Sequence, residues 1–265
     1  ENHFLLNGFN NARKEIEWLL EEILDCKKLD LYLRYDEELS VENLKILHSW
    51  INRRIKKEPL QYITESCEFF GRKFFVNDNV FIPRPETETL IDIALSVIES
   101  DSNQNVLDIC TGSGCIAITL AKELNNPNIS AIDISNKALD IAMLNAKNHD
   151  VYINFEQKNI LIDTYKNKLD MIVCNPPYIP MNEMDSLMDD VKLYEPRMAL
   201  TDGSDGLSFY KRINDLAPLL VVPGGYILLE VGLNQPPQFV KDILDDKLYS
   251  QIEIVSDLNG DPRIL

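Results

Sequence analysis

From residue 106 onward the sequence alternates short apolar runs with stretches of helical periodicity, which limits the possible folds more than any other feature. The apolar runs 106–109 and 129–133 are each followed by a stretch of helical spacing, at 116–124 and 136–148. Such alternation is typical of an α/β fold, in which a parallel sheet carries helices on both faces. The further predicted elements are a helix from Glu86 to about Ser100 and strands at 152–155, 169–174, 226–231 and 251–255.

The first part of the chain has a different pattern. Apolar residues recur at helical spacing in 16–24 and 44–55, and Ser40 stands where a helix N-cap is expected. Short aromatic runs then flank Gly71, which is typical of a β-hairpin. We therefore predict a small helical domain that, with the start of a hairpin linker, occupies residues 1–75, and a second domain at 76–265.

Composition and charge exclude several classes of protein. The chain of 265 residues is 45% hydrophobic and 26% charged, which is ordinary for a globular protein. Its net charge of −17 argues against a protein that gains its affinity by neutralising phosphates, so no direct nucleic-acid binding is expected. Since no apolar run reaches about 18 residues and no basic-then-apolar segment opens the chain, we expect a soluble, cytoplasmic protein without a membrane anchor.

The five cysteines indicate a reducing environment. Their number is odd and none are spaced as Cys-x-x-Cys, so neither a disulfide framework nor a structural zinc site is predicted. No other metal site is expected. The chain begins at Glu1 rather than at Met, and we expect at least one residue to precede it.

A glycine-rich segment follows the first strand of the alternating region. Its residues are Cys110, Thr111, Gly112, Ser113 and Gly114. The glycines stand where the backbone must turn tightly and where a ligand can approach closely. The segment therefore predicts one half of a ligand site.

Asp133 closes the next strand, nineteen residues after Gly114. An acid at this position typically accepts both ribose hydroxyls of a nucleoside cofactor. The spacing Gly112-x-Gly114-x-x-Ala117 also satisfies the degenerate dinucleotide fingerprint, so an NAD-dependent oxidoreductase stays open as an alternative. Asp108 counts against it, because a carboxylate there would repel a pyrophosphate and could receive the cationic end of S-adenosyl-L-methionine. A purely structural turn, with Asp133 as a helix cap, is the third reading.

The tetrapeptide Asn175-Pro176-Pro177-Tyr178 follows the predicted strand 169–174, where open α/β sheets bind ligands. Consecutive prolines give a rigid backbone with few local donors, so its carbonyl groups are free to accept. Asn175 adds a carboxamide oxygen and Tyr178 a flat aromatic face. Together these residues suit a planar substrate that bears an NH2 group, although the same residues also end strands without any function.

With these motifs the chain resembles the PrmC/HemK family of protein-(glutamine) methyltransferases, which methylate the glutamine of the Gly-Gly-Gln loop in class-1 peptide chain release factors. Arg84-Pro85-Glu86-Thr87-Glu88 with Glu195-Pro196 narrows the resemblance to this family and to its ribosomal-protein-modifying relatives. The other matching segments include Pro59 to Ile63, Asp108 to Gly114, Asp133 to Ser135, Asn175 to Ile179 and Pro223 to Gly225 with Glu230.

The resemblance implies a fold and a reaction. The fold is a Rossmann-like methyltransferase domain with a seven-stranded mixed sheet, joined by a hairpin to a helical domain that recognises the substrate. The cofactor is S-adenosyl-L-methionine, which leaves as S-adenosyl-L-homocysteine, and the partner is a class-1 release factor. Asn175, Pro176 and Tyr178 are the implied catalytic residues. An adenine amino-methyltransferase, a ribosomal-protein methyltransferase and a non-catalytic module that keeps the cofactor pocket are the alternatives.

The implied cofactor contacts depart from the family pattern at two positions. Cys110 stands where the family usually has glycine, and it would cost of order 1 kcal/mol if the backbone there requires a positive φ. Ile160 stands where an aromatic residue is common, so aliphatic contact would replace stacking on the adenine. The implied substrate contacts are Pro177 together with Arg84, Glu86 and Glu195, for which a salt-bridge network between the domains is an equal alternative.

Overall fold

The computed structural model describes residues 2–34, 36–98, 103–232, 237–244, 247–257 and 259–265. Its chain forms two compact units: Glu1–Ser66 with Met188–Tyr194, and Cys67–Leu187 with Glu195–Leu265. The division follows Ser66, so the hairpin beyond that residue belongs to the second unit. The predicted domain boundary near residue 75 stays a prediction.

Helices and strands alternate along the second unit. The described α-helices are α1 (Asn2–Leu6), α2 (Ala12–Leu24), α3 (Lys28–Leu33), α4 (Val41–Ile55), α5 (Leu60–Thr64), α6 (Glu88–Val97), α7 (Cys115–Glu123), α8 (Asn136–Asn148), α9 (Asp189–Tyr194), α10 (Arg197–Leu200), α11 (Ser208–Leu220) and α12 (Pro237–Ile243). The described strands are β1 (Ser66–Phe69), β2 (Arg72–Phe75), β3 (Asn105–Ile109), β4 (Asn128–Asp133), β5 (Asn154–Gln157), β6 (Leu169–Cys174), β7 (Val221–Leu229), β8 (Val255–Ser256) and β9 (Pro262–Ile264). None of these helices combines the length and the apolar character that crossing a membrane requires.

The first unit is helical, as its periodicity predicts. The Ser40 hydroxyl accepts a hydrogen bond from the Asn43 N–H at 3.1 Å and so caps α4. Leu19 of α2 is fully buried in an apolar core that includes residues of α4 and α5. Arg54 of α4 pairs with Glu15 of α2 at 2.7 Å, which ties these two helices together.

The second unit is built on a parallel sheet. Five of the described strands pair in the order β5-β4-β3-β6-β7, and all of these pairings are parallel. Beyond β7, Leu229 and Leu265 exchange two backbone hydrogen bonds of 2.8 and 2.9 Å, which join β9 in antiparallel orientation. Since β8 pairs antiparallel with β9, these contacts extend the sheet to the mixed seven strands that the resemblance implies.

Helices cover both faces of this sheet. Val106 of β3 points into a core shared with α6 and α7, whereas its neighbour Leu107 points into a core shared with α11. This alternation explains why the strands read as continuous apolar runs, since neither face meets water. The functional consequence is that the carboxyl ends of β3, β4 and β6 meet at one edge.

Three predicted elements differ from the structure. β5 begins at Asn154 rather than at residue 152, and β7 begins at Val221 rather than at Tyr226 because the chain bulges opposite Asp170 before Tyr226. The strand predicted at 251–255 is wrong except at Val255, since the short β9 and a register shift leave it little to pair with. The last two residues of the helix predicted to end at Ser100 lie outside the described residues.

Candidate active site

A cavity of about 230 Å³ lies at the carboxyl edge of the sheet in the second unit. It is lined by residues that follow three neighbouring strands: Cys110 after β3, Asp133 at the end of β4 and Asn175 after β6. The predicted residues that line it are Cys110, Thr111, Gly112, Ser113, Asp133, Ile160, Asn175, Pro176, Pro177 and Tyr178. One cavity therefore brings the predicted glycine-rich segment and the predicted tetrapeptide together.

The glycine-rich segment turns sharply between β3 and α7. Cys110, Gly112 and Gly114 have φ values of 62°, 54° and 82°, all in the left-handed region. A side chain at Gly114 would meet α8, because an added Cβ would lie 3.1 Å from the Ala142 Cβ. Glycine is therefore required at Gly114 for packing, while Cys110 adopts the positive φ at which a cysteine costs of order 1 kcal/mol.

Asn145 of α8 holds the segment from behind. Its side chain is fully buried, and Nδ2 donates to the Ser113 carbonyl at 2.9 Å and to the Phe75 carbonyl at 3.0 Å. Its Oδ1 accepts from the Phe75 N–H at 2.8 Å. One carboxamide thus links the cofactor segment to strand β2 of the hairpin, and no sequence motif pointed to it.

Asp133 orders the backbone around it. Its Oδ2 accepts from the Gly112 N–H and its Oδ1 from the Ser135 N–H, both at 2.9 Å. Burial raises the pKa of Asp133, and these backbone hydrogen bonds oppose the rise. Each oxygen keeps a lone pair for a further donor, which is what a pair of ribose hydroxyls would need.

Asp108 lies behind the cavity wall rather than in it. Its side chain is fully buried, and Oδ2 accepts from the Thr111 hydroxyl at 2.6 Å. Among the described residues Oδ1 has no hydrogen-bond partner. Burial raises the pKa of Asp108 to about 7. The expected direct contact with the cofactor is therefore not what the structure shows: Asp108 positions Thr111, and one buried oxygen is left to attract a positive charge at the segment.

Ile160 forms part of the apolar wall, together with Ile134. It is buried, and its carbonyl accepts from Arg212 of α11 at 3.0 Å. A second hydrogen bond of 3.0 Å joins the same guanidinium to the Asp163 carbonyl. The wall therefore offers aliphatic surface on a braced backbone, in agreement with the aliphatic contact expected there.

The tetrapeptide lines the other side of the cavity. The Asn175 Nδ2 donates to the Thr87 hydroxyl at 3.2 Å, which leaves Oδ1 as the unoccupied end of the carboxamide. Among the described N–H groups none donates to the Pro176 carbonyl. Two acceptors thus follow one another along a rigid backbone.

Behind the tetrapeptide lies a buried carboxylate to which sequence analysis assigned no role. Glu230 is 1% exposed and follows β7 directly. Its Oε2 accepts from the Thr87 hydroxyl at 2.5 Å and its Oε1 from the Tyr178 hydroxyl at 3.3 Å. Burial raises the pKa of Glu230 to about 7, against these two hydrogen bonds and the positive charge of Arg263. Thr87 and Glu230 stand 143 positions apart, so no local signal could join them.

Arg84, Glu86 and Glu195 do not line the cavity. Arg84 pairs with Glu195, which also accepts from the Ile82 N–H at 3.3 Å. Both partners belong to the second unit, so this pair is not a bridge between the units. The Arg84 guanidinium lies 4.8 Å from the centre of the Phe81 ring, and Phe81 lines the cavity. The pair thus braces the wall, and direct substrate contact stays a prediction.

Two family models match the chain. The model described as the PrmC N-terminal domain matches residues 3–64, and the methyltransferase small domain matches residues 85–193. Among solved structures, a methyltransferase from Pyrococcus furiosus aligns with a TM-score of 0.53 and 16% identity, covering 82% of this chain and 94% of that one. That likeness supports the fold alone.

Curated relatives carry the assignment further. A release factor glutamine methyltransferase of Geobacter sulfurreducens is 40% identical over 86% of this chain and 80% of its own length. One of Fusobacterium nucleatum is 37% identical over 98% of this chain and 74% of its own length. One of Bacillus subtilis is 41% identical over 78% of this chain and 74% of its own length. These matches remove the oxidoreductase and the non-catalytic alternatives. The chain is an S-adenosylmethionine-dependent methyltransferase and belongs to the release factor glutamine methyltransferase family.

Proposed function

We propose that this protein transfers a methyl group from S-adenosyl-L-methionine to the side-chain amide nitrogen of a glutamine in a class-1 peptide chain release factor. The observation that carries the proposal is the orientation of Asn175. Its NH2 group is engaged by Thr87, so its oxygen and the Pro176 carbonyl are two acceptors beside the cofactor cavity. A primary amide offers two N–H groups to such a pair.

The acceptors compensate for a poor nucleophile. The lone pair of an amide nitrogen is delocalised into its carbonyl, so attack on the methyl group requires orientation. Two accepted N–H groups direct the nitrogen toward the methyl group and stabilise the positive charge that develops there. Holding two reactants in line can lower a barrier by roughly 7–11 kcal/mol. The N-methylated amide is then strongly acidic and releases its proton to water.

The residues of the cavity fit the cofactor. Asp133 retains acceptor capacity for the ribose, and the Ile134 and Ile160 side chains offer apolar surface for the adenine. The buried, unpaired Oδ1 of Asp108 favours a cationic group at the glycine-rich segment. When bound, S-adenosyl-L-methionine supplies a methyl group already activated by its sulfonium.

The same acceptor pair predicts selectivity for glutamine over glutamate. A carboxylate would set its oxygens against the Asn175 oxygen and the Pro176 carbonyl, and it offers no N–H to either. Sites built around a required donor discriminate by about 10⁴ or more against analogues that lack it. We further propose that residues 1–75 recognise the release factor, that the glutamine belongs to its Gly-Gly-Gln loop and that the reaction takes place in the cytoplasm, where translation ends.

Mass spectrometry of a purified release factor after incubation with the protein and S-adenosyl-L-methionine tests the proposal. The expected result is a gain of one methyl group on the glutamine of the Gly-Gly-Gln loop. A factor in which that glutamine is replaced by glutamate is the matched control and should gain none. An unmodified factor combined with methylated DNA, RNA or ribosomal protein would replace this function with one of the alternatives.

A further inference from the structure

A chain of hydrogen bonds runs from Glu230 to the substrate side of the cavity. Thr87 donates its only hydroxyl proton to Glu230, at 2.5 Å. The same hydroxyl oxygen accepts from the Asn175 Nδ2, at 3.2 Å. Thr87 is 2% exposed and Glu230 is 1% exposed, so water does not compete for these bonds.

The direction of this chain is set at Glu230. An ionised carboxylate can only accept, so the Thr87 proton must point toward it. The Thr87 oxygen is then an acceptor for its other neighbour, which selects the NH2 end of the Asn175 carboxamide. The Oδ1 end is consequently turned to the substrate. A neutral amide in place of Glu230 could donate to Thr87 instead, which would release the Thr87 proton to hydrogen-bond Oδ1 and permit the carboxamide to flip.

Glu230 positions Tyr178 in the same way. Its Oε1 accepts from the Tyr178 hydroxyl at 3.3 Å. The Tyr178 ring lies against the backbone at Gly232, where an added Cβ would come within 2.8 Å of the ring. The ring is therefore held between a hydrogen bond at its tip and a close backbone contact at its edge.

We propose that Glu230, acting through Thr87, is the positioning residue that fixes the Asn175 carboxamide with its oxygen toward the substrate, and that this network determines selectivity for an amide over a carboxylate. The inference rests on the proposed function and deepens it. Neither Glu230 nor Thr87 was among the site residues that the sequence indicated.

Four variants test the proposal: Glu230→Gln, Thr87→Val, Thr87→Ser and the double variant Thr87→Val/Glu230→Gln. Glu230→Gln keeps the shape but not the obligatory acceptor, Thr87→Val removes the hydroxyl, and Thr87→Ser retains it. Three quantities are measured: kcat and KM with a release factor, the affinity for S-adenosyl-L-homocysteine, and the ratio of affinities for the factor with glutamine and with glutamate in the loop.

We expect Glu230→Gln and Thr87→Val each to lower kcat by about ten-fold or more, the effect of one buried hydrogen bond that is lost or reversed. Their preference for the glutamine factor should fall by a similar factor, because a flipped carboxamide presents donors that accept a carboxylate. Thr87→Ser should retain wild-type values, and the double variant should lose no more than the worse single one, since both changes interrupt one chain. Affinity for S-adenosyl-L-homocysteine should change less than two-fold.

Two results would overturn the proposal. One is a Glu230→Gln or Thr87→Val protein with unchanged kcat and unchanged glutamine preference. The other is a loss of S-adenosyl-L-homocysteine affinity as large as the loss of rate, which would assign these residues to folding of the cavity. If the wild-type protein leaves the release factor unmodified, it is the proposed function that fails, and the two failures are thereby distinguished.

Discussion

Replacing Gly114 with alanine should destabilise the second unit strongly, and Gly112→Ala provides the matched control. Both residues have a positive φ, which costs a non-glycine residue roughly 1–2 kcal/mol. At Gly114 the new Cβ would also lie 3.1 Å from the Cβ and 3.3 Å from the Cα of Ala142, atoms that belong to or adjoin the α8 backbone. Overpacking of this kind costs roughly 1–3 kcal/mol more.

The expected loss of unfolding free energy is therefore about 2–5 kcal/mol for Gly114→Ala, the sum of both effects. At Gly112 an added Cβ meets only the Cys110 carbonyl oxygen, at 4.0 Å, so Gly112→Ala should lose only the conformational part. Urea denaturation followed by circular dichroism measures both. Because Trp18 and Trp50 both belong to the helical unit, tryptophan emission provides an internal reference for that unit. Equal losses for the two variants would refute the packing argument.

The remaining predictions concern ligand binding, pH and domains. Asp133→Ala should weaken S-adenosyl-L-methionine binding by roughly 1–3 kcal/mol in calorimetry, and unchanged affinity would contradict the ribose assignment. Asn175→Ala should lose most turnover and keep most cofactor affinity, so a near-wild-type rate would refute the mechanism. Because burial raises the pKa of Glu230 from 4.5 and that of Asp108 from 3.8, both to about 7, the folded state binds more protons between these values. The free energy of unfolding should thus fall as the pH rises from about 4 to 7, less steeply in Glu230→Gln; a flat wild-type profile in urea titrations would contradict this. A fragment of residues 67–265 should bind S-adenosyl-L-homocysteine but methylate a release factor poorly, and activity equal to that of the full chain would refute substrate recognition by the helical domain.

Elements with a complete local signal were predicted to the residue. Helix α8 spans the predicted 136–148 because Ser135 caps it, accepting from the Ala138 N–H at 3.2 Å. Strand β6 spans the predicted 169–174 because it is a continuous apolar run buried between two layers. The start of β7 was missed because Pro223-Gly224-Gly225 is typical of a turn, whereas here it forms a bulge opposite Asp170.

The candidate site shows the same limit. Residues that directly follow a strand, such as Cys110 and Asn175, could be placed from the sequence because parallel strands bring their carboxyl ends together. Thr87 and Glu230 could not be paired, since their contact arises only when a turn before α6 packs against the end of β7. The buried position of Asp108 also depends on packing, because a residue in a strand can face either layer.

The buried carboxamide of Asn145 makes the hairpin and the cofactor segment thermodynamically linked. A ligand that orders the segment at Ser113 must also stabilise the bonds between Asn145 and Phe75, and the coupling acts equally in the reverse direction. Cofactor occupancy should therefore slow hydrogen exchange at the Phe75 amide, although that amide does not line the cavity. A protein cut at residue 75 would lose this partner, so the hairpin is a working part of the cofactor site as well as a linker.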